Sequence, residues 1–319
     1  MPKTTPRRSP NPHGHATPSP GARQRDTSPG DFPGSGSALF SHAPAPTHDA
    51  AASPDPTLDE PGWPWFLPED ELPHEALDGR VDAEQDPAGA AANYARIPLV
   101  RDAVRLLDFV GEGRQVTSTG ALRLADVRAL VQQWQLDLSG PALTSMWQVG
   151  TIVGPWNALV SGRWLELTSA RVRPGQGLVP AVLEQEDPGG FVRFARALLT
   201  LLILDALQQG PQEGGLVGGP DTFAALTRTL APGGLLLPET VRDAMDRDQV
   251  PKTPDGDLDM DEVERYWVTQ RDLVTLATYG VLHAEVAPGE EGIRFHGTVE
   301  VILEAFSALE MLNELDGSQ

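Results

Sequence analysis

RDAVRLLDFVGEGRQVTSTGALRLADVRALVQQW, residues 101–134, holds an amphipathic helix, a glycine-rich turn, a short Thr/Ser-rich extended piece and a second amphipathic helix. The first helix is predicted to begin near Ile97, because Val100, Val104, Leu107 and Val110 recur at helical spacing. Pro98 suits a first turn, where an N–H is not needed. Gly111 and Gly113 end that helix. The second helix puts Leu124, Val127, Leu130, Val131 and Trp134 on one face, with Asp126 near its N-terminus, where a negative charge complements the dipole.

C-terminal to this segment, Ser139-Gly140-Pro141 breaks the chain and ALTSMWQVGTIVGPWNALVSG follows, residues 142–162. Its pattern is helical, with a kink or split expected at Gly154-Pro155. RWLEL and SARVRP then alternate as two strands with a turn near Thr168. Helix, short strand, helix, helix and hairpin is the order of a winged helix-turn-helix domain, predicted over residues 95–180.

Residues 181–319 predict a second, degenerate copy. It holds a long buried helix at 190–208, a helix N-capped by Asp221 and running through Leu230, a short acidic helix at 239–247 behind Pro238, and a helix at 259–279. VLHAEV and GIRFHG form a hairpin about Pro288-Gly289, closed by a helix at 298–315. The predicted fold is mainly α with short β-hairpins: tandem winged-helix-like modules after a disordered N-terminal tail.

The tail is residues 1–60, which hold twelve of the thirty prolines and few sizeable apolar side chains. Such a stretch buries too little surface to offset the entropy of ordering. Residues 61–94 read as an acidic linker carrying an aromatic knot, Trp63, Trp65, Phe66 and Leu67. An aromatic cluster beside acidic residues is a candidate protein-docking motif, although a plug that folds back into a groove of its own core is the favoured reading.

The cassette LVRDAVRLLDFVGEGRQVTSTGALRLADVRALV resembles the signature of a family of uncharacterised actinobacterial proteins, with a VGEGR turn, a Thr-x-Thr-Gly-x-Leu step and a Leu-Ala-Asp-x-Arg helix. The matching residues are Val110 to Arg114, Thr117, Thr119, Gly120, Leu122, Leu124, Ala125, Asp126 and Arg128. The hairpin SGRWLELTSARVRPG is similar to that family's wing, which tends to be more basic. The resemblance covers about residues 95–180 and implies winged-helix-like modules; it implies no activity.

The formal net charge is -21. Residues 91–319 alone carry eighteen basic against thirty-one acidic side chains, a balance that repels a phosphate backbone at long range. There is no cysteine, which removes disulfides, thiol catalysis and cysteine-based zinc sites. No apolar run reaches the twenty or so residues that span a bilayer, and Arg7-Arg8 is followed by no apolar segment of a signal peptide. A cytoplasmic protein with no membrane partner is expected.

A DNA-reading helix needs Arg, Lys, Asn or Gln aimed at bases and phosphates. The candidate third helix, 142–162, has no charged residue, so DNA is a disfavoured partner. The supportive patch is Arg163, Arg171 and Arg173 on the first wing, with Arg114 and Arg123 as outliers. The acidic loop TPDGDLDMDE lacks the Gly and Glu that a calcium loop needs, since Met260 and Tyr266 stand there. His283, His296 and Glu285 share one face of the last hairpin by alternation, a pattern that fits a solvated face better than a metal site. No Walker loop, nucleophile elbow or HExxH helix is present, and GGLVGG lacks a lysine to reach phosphate. Asp205 adjoins an apolar segment but has no evident acid–base mate. The expectation is a non-enzyme with no cofactor, working through an unidentified protein partner, with DNA binding through the wing as the alternative. Trp147, Trp156 and Trp164 supply its apolar surface or core.

Overall fold

Pro98 sets the first break in the structure. This computed structural model describes residues 62–69, 83–136, 142–286 and 292–317. Helix α1 (Pro87–Arg96) starts where the Asp86 carboxylate accepts from the Gly89 N–H, with Pro87 at the first turn. It stops at Ile97, which is extended (φ -68°, ψ 123°) because the residue before a proline avoids the helical region. Helix α2 (Pro98–Val110) follows at once. The sequence reading placed only linker at 61–94, yet α1 begins inside it and buries Ala90, Ala91 and Tyr94. The tail, residues 1–60, and the middle of that linker lie outside the described residues.

Strand β1 (Arg114–Gln115), helix α3 (Leu124–Trp134), a 3₁₀ turn (Met146–Gln148) and helix α4 (Gly150–Ser161) come next, then strands β2 (Leu165–Leu167) and β3 (Arg171–Pro174). The three strands form an antiparallel sheet in the order β1-β3-β2. After the long helix α5 (Pro188–Gln209) the chain repeats this plan. Helix α6 (Pro220–Arg228), strand β4 (Leu235–Leu237), helices α7 (Val241–Asp246) and α8 (Met260–Thr278), and strands β5 (His283–Glu285) and β6 (Ile293–His296) are closed by helix α9 (Val299–Asp316). The second sheet has the order β4-β6-β5, the same as the first.

The repeat extends to single residues. β1 begins with Arg114 paired to Val172, and β4 with Leu235 paired to Phe295. In each case a glycine stands just before, Gly113 or Gly234. A Cβ on Gly113 would lie 2.8 Å from the Val172 carbonyl oxygen, and one on Gly234 would lie 2.6 Å from that of Phe295. The ends of the third helices also coincide. Trp164 donates to the Leu159 carbonyl at 2.9 Å, and Val281 donates to that of Leu276 at 2.9 Å. Arg163 and Gly280, one residue earlier, are both left-handed, at φ 59° and 79°. The correspondence Leu159/Leu276, Trp164/Val281, Leu165/Leu282 therefore holds with a constant offset. It aligns the buried faces too: Met146, Val149, Ile152 and Trp156 match Val263, Tyr266, Thr269 and Leu273, all buried.

These parts lie in one compact unit, Asp59–Gln319, around a shared core. α5 is buried along most of its length and packs against α1, α4 and α9, as a helix apolar on nearly every side must. Two buried carboxylates pin the assembly. Glu304 on α9 accepts from Tyr94 Oη at 2.9 Å, Arg196 Nε at 3.0 Å and Thr200 Oγ1 at 2.8 Å, tying α1, α5 and α9. Burial, with the Glu304 charge beside it, holds the Tyr94 hydroxyl protonated well above its ordinary pKa. Asp272 on α8 accepts from the Val217 and Gly218 N–H groups and from Thr222 Oγ1, at 3.2, 3.0 and 2.9 Å. The glycine loop GGLVGG is thus spent on an internal carboxylate.

The structure corrects three details. Residues 142–145 are not helical, and α4 runs through Gly154-Pro155 without a break. Asp221 is not a cap: Gly219 holds that position, while Asp221 sits in the first turn and takes Arg265 Nε at 2.7 Å and Nη2 at 2.9 Å. No helix among the described residues is long and apolar enough to cross a membrane.

Candidate functional site

The third helices α4 and α8 decide what each repeat can touch. Within the offset above, the α8 positions Glu264, Trp267, Arg271 and Val274 match Trp147, Gly150, Gly154 and Asn157. On α4 this face is closed. A Cβ on Gly150 would meet the Thr278 side chain at 2.1 Å, and one on Gly154 would meet the Tyr279 carbonyl oxygen at 2.6 Å. The two glycines let α4 press against the C-terminal end of α8, and its other side holds Ile152, Trp156 and Leu159 in the core. α4 has no charged side chain, and seven of its twelve residues are buried.

On α8 the same face is open. Met260, Trp267 and Val274 are 58 %, 53 % and 39 % exposed, with Glu264 and Arg271 between them. Its inner side is fixed: the Tyr266 hydroxyl donates to the Pro238 carbonyl, Gln270 Nε2 donates to the carbonyls of Pro238 (3.0 Å) and Glu239 (2.7 Å), and Asp272 holds the glycine loop. Asp259 caps the helix, accepting from the Asp261 and Glu262 N–H groups. That settles the acidic run before it as a turn and cap. The sequence reading judged this helix by its charges and missed its outward stripe, whose signal was the spacing of 260, 264, 267, 271 and 274.

Arg171 and Arg173 share the exposed face of the first wing, and Arg163 lies beside the end of that hairpin, its carbonyl accepting from the Gly177 N–H at 3.0 Å. Arg171 and Arg173 flank buried Val172 on β3, whereas Arg163 belongs to the cap of α4. Arg173 is held by Glu166, with Nη2 2.9 Å from Oε2. Arg114 lies over the Phe109 ring at 4.2 Å and pairs with Asp126 at 3.3 Å. All three wing arginines are exposed.

The aromatic knot folds back onto the core. Phe66 and Leu67 are buried, and Trp65 stacks on Tyr266 with ring centroids 5.5 Å apart. Trp65 Nε1 donates to the Glu262 carbonyl at 3.3 Å, and Arg265 Nη2 donates to that of Gly62 at 3.0 Å. Of the four residues, Trp63 stays exposed, beneath Arg228. Of the other tryptophans singled out, Trp156 and Trp164 are core and Trp147 is exposed.

The remaining candidates bring little chemistry. His283 and His296 face each other across β5 and β6, their rings 6.1 Å apart, with Glu285 oxygens 3.8 and 3.5 Å from their Nε2 atoms. Among the described residues no group of three or more His, Asp and Glu is disposed to hold a metal. Burial raises the Asp205 carboxyl above its ordinary pKa, partly offset by the hydrogen bond from Gln209; burial, and the Asp205 charge after it, raise the Tyr279 hydroxyl above its ordinary pKa as well. A cavity of about 720 Å³ opens beside α2 and the start of α5, walled by Val104, Leu107, Val182, Leu183, Trp164 and Phe194. The Trp164 N–H there is already given to the Val179 carbonyl at 2.6 Å, and the lining also carries Arg105, Asp108, Gln176 and Glu186, so the cavity combines apolar walls with charged and polar groups.

Comparison with protein-family models, with curated proteins and with solved structures gave no match to this chain.

Proposed function

We propose that this protein is a non-catalytic interaction protein built from two winged-helix-like modules, residues 98–174 and 220–296, that bind protein rather than DNA. The repeated order of helix, strand, helix, helix and two strands, with one strand order in both sheets, supports the modules, as does the family resemblance of the VGEGR cassette. The observation that carries the function is the outward face of α8. Where a DNA reader displays basic and amide side chains, this helix displays Met260, Trp267 and Val274, and tryptophan is among the residues most enriched where proteins bind each other. The corresponding face of α4 is closed by the protein itself. Acidity favours the same reading, because a body of this charge repels phosphate. Of the three buried acids among the described residues, Asp272 and Glu304 are committed to structural hydrogen bonds and Asp102 pairs with Arg101 and Arg105, which supports a role without catalysis.

The test has two arms. Fluorescence anisotropy of labelled duplex DNA with the full chain at low salt is expected to show no saturable binding. Saturable binding with a steep salt slope, flattened by Arg163→Ala with Arg171→Ala, would overturn the reading in favour of a DNA regulator. Affinity capture with the intact chain is expected to retain protein that the Trp267→Glu variant loses; identical capture by both counts against it.

A further inference from the structure

The outward positions of α8 have the spacing of a helix that pairs with another helix. Met260, Glu264, Trp267, Arg271 and Val274 are separated by four, three, four and three residues, the alternation that keeps one stripe turned toward a neighbour. The helix cannot roll to hide that stripe. Its inner side is locked by Tyr266 on the Pro238 carbonyl, by Asp272 on the glycine loop and by Arg265 on Asp221.

The charges select the occupant. Glu264 lies about one turn before Trp267 and Arg271 about one turn after it. A parallel copy of α8 would set Glu264 against Glu264 and Arg271 against Arg271. An antiparallel copy, related by a two-fold axis at Trp267, sets each Glu264 beside Arg271 of the second copy and each Met260 beside Val274 of the second copy. The stripe is therefore complementary to itself under the commonest symmetry of protein dimers. It also carries one charge of each sign, so it escapes the acidity that keeps the rest of two such chains apart. Arg271 gives one hydrogen bond to Asp272 at 3.1 Å and keeps other guanidinium donors for a neighbour.

We propose that α8 is a self-association helix: two copies of this chain pair antiparallel across Trp267, with Glu264 of each beside Arg271 of the other. This rests on the reading that the α8 face binds protein instead of DNA. A pair made by one helix stripe per chain belongs to the small, weak class of interfaces, so the dimer forms reversibly with concentration.

The absence of cysteine makes a clean test. Full-length Met260→Cys and Val274→Cys variants, one of them isotopically labelled, are mixed at high concentration, oxidised and weighed by mass spectrometry. Both sites are exposed, so folding is preserved. In the antiparallel pair the mixed disulfide is expected to exceed the Met260→Cys homodimer by about tenfold, since two residues at 260 lie roughly 20 Å apart and a disulfide needs Cα atoms within about 7 Å. Trp267→Glu in both chains is expected to abolish the mixed product while leaving the circular dichroism unchanged. A Met260→Cys homodimer as the main product, no cross-linking at all, or cross-linking indifferent to Trp267→Glu each overturns the proposal. Such a failure with DNA binding still absent removes the self-pairing alone; saturable DNA binding removes the protein-binding reading beneath it.

Discussion

α4 and α8 occupy the same place in two copies of one plan, and they have opposite surfaces. Their main core positions agree: Met146, Val149, Ile152, Trp156 and Leu159 match Val263, Tyr266, Thr269, Leu273 and Leu276, all buried. On the outward face α4 has glycine at 150 and 154 where α8 has tryptophan and arginine. Small residues let two backbones meet, so the first repeat closes its third helix on the end of α8. Large residues hold a surface open, so the second repeat keeps one exposed. The plan fixes where the face lies, and side-chain size on that face decides whether it is spent internally.

The sharpest way to break this comparison is to make α4 resemble α8. Gly154→Ala adds a methyl group whose nearest neighbours are the Tyr279 carbonyl oxygen at 2.6 Å and Tyr279 Cα at 2.8 Å. Both are backbone and cannot swing aside. Helix propensity alone favours alanine over glycine by about 1 kcal/mol, while overpacking of a fitted contact costs about 3 kcal/mol at the upper end of its usual range. The clash wins, and chemical denaturation is expected to show a net loss of about 2 kcal/mol. A stabilised Gly154→Ala protein would mean that α4 does not rest on α8.

Much of the plan was readable in the sequence, for local reasons. Pro98, Gly111 and Gly113 punctuate the chain by backbone chemistry that needs no partner, and apolar periodicity outlines α2, α3, α8 and both hairpins. α1 escaped because half of it is alanine and it buries only Ala90, Ala91 and Tyr94, too faint a stripe to separate from the acidic stretch before it. Gly154-Pro155 read as a kink or split because an interior proline removes a helix hydrogen bond, and the close approach to another helix that the glycine serves leaves no mark in local sequence. The lack of charge in α4 announced burial without saying against what. The α8 stripe was present as spacing, but its meaning depends on which side Asp272 and Tyr266 take. Nothing local says that an aspartate will be buried against a glycine loop fifty residues earlier.

A smaller effect of opposite sign in the two repeats tests the alignment itself. Arg163 and Gly280 hold the same left-handed position, and only glycine does so without strain. A non-glycine residue there costs about 1–2 kcal/mol, and glycine returns about 0.4–1 kcal/mol of that through the freedom it gives the unfolded chain. Arg163→Gly is therefore expected to stabilise by about 0.5–1 kcal/mol, although it removes one of the wing arginines. Gly280→Ala is expected to destabilise by about 1 kcal/mol or more, since its Cβ would also lie 3.0 Å from the Leu99 nitrogen. Thermal melts of the two variants are expected to move in opposite directions; a shared direction would separate the two caps.

The smallest expected difference lies in the wings. Glu166 faces Arg173 across the first hairpin, and His283 faces His296 at the corresponding place in the second. The first pair looks the stronger on paper, with Arg173 Nη2 2.9 Å from Glu166 Oε2. Both side chains are substantially exposed, at 64 % and 45 %, and water screens such pairs to about 0–1 kcal/mol. A double-mutant cycle of Glu166→Gln and Arg173→Gln is expected to give a coupling of about 0.5 kcal/mol or less, shrinking as salt is added. A larger, salt-independent coupling would mean that the first wing is held rigid by its ion pair, and that the two wings differ in stiffness as well as in charge. With weak coupling, the hydrogen-bonded strand register and the buried Val172 and Phe295 hold both wings, and Arg173 is kept by Glu166 too loosely to count as a preorganised phosphate ligand.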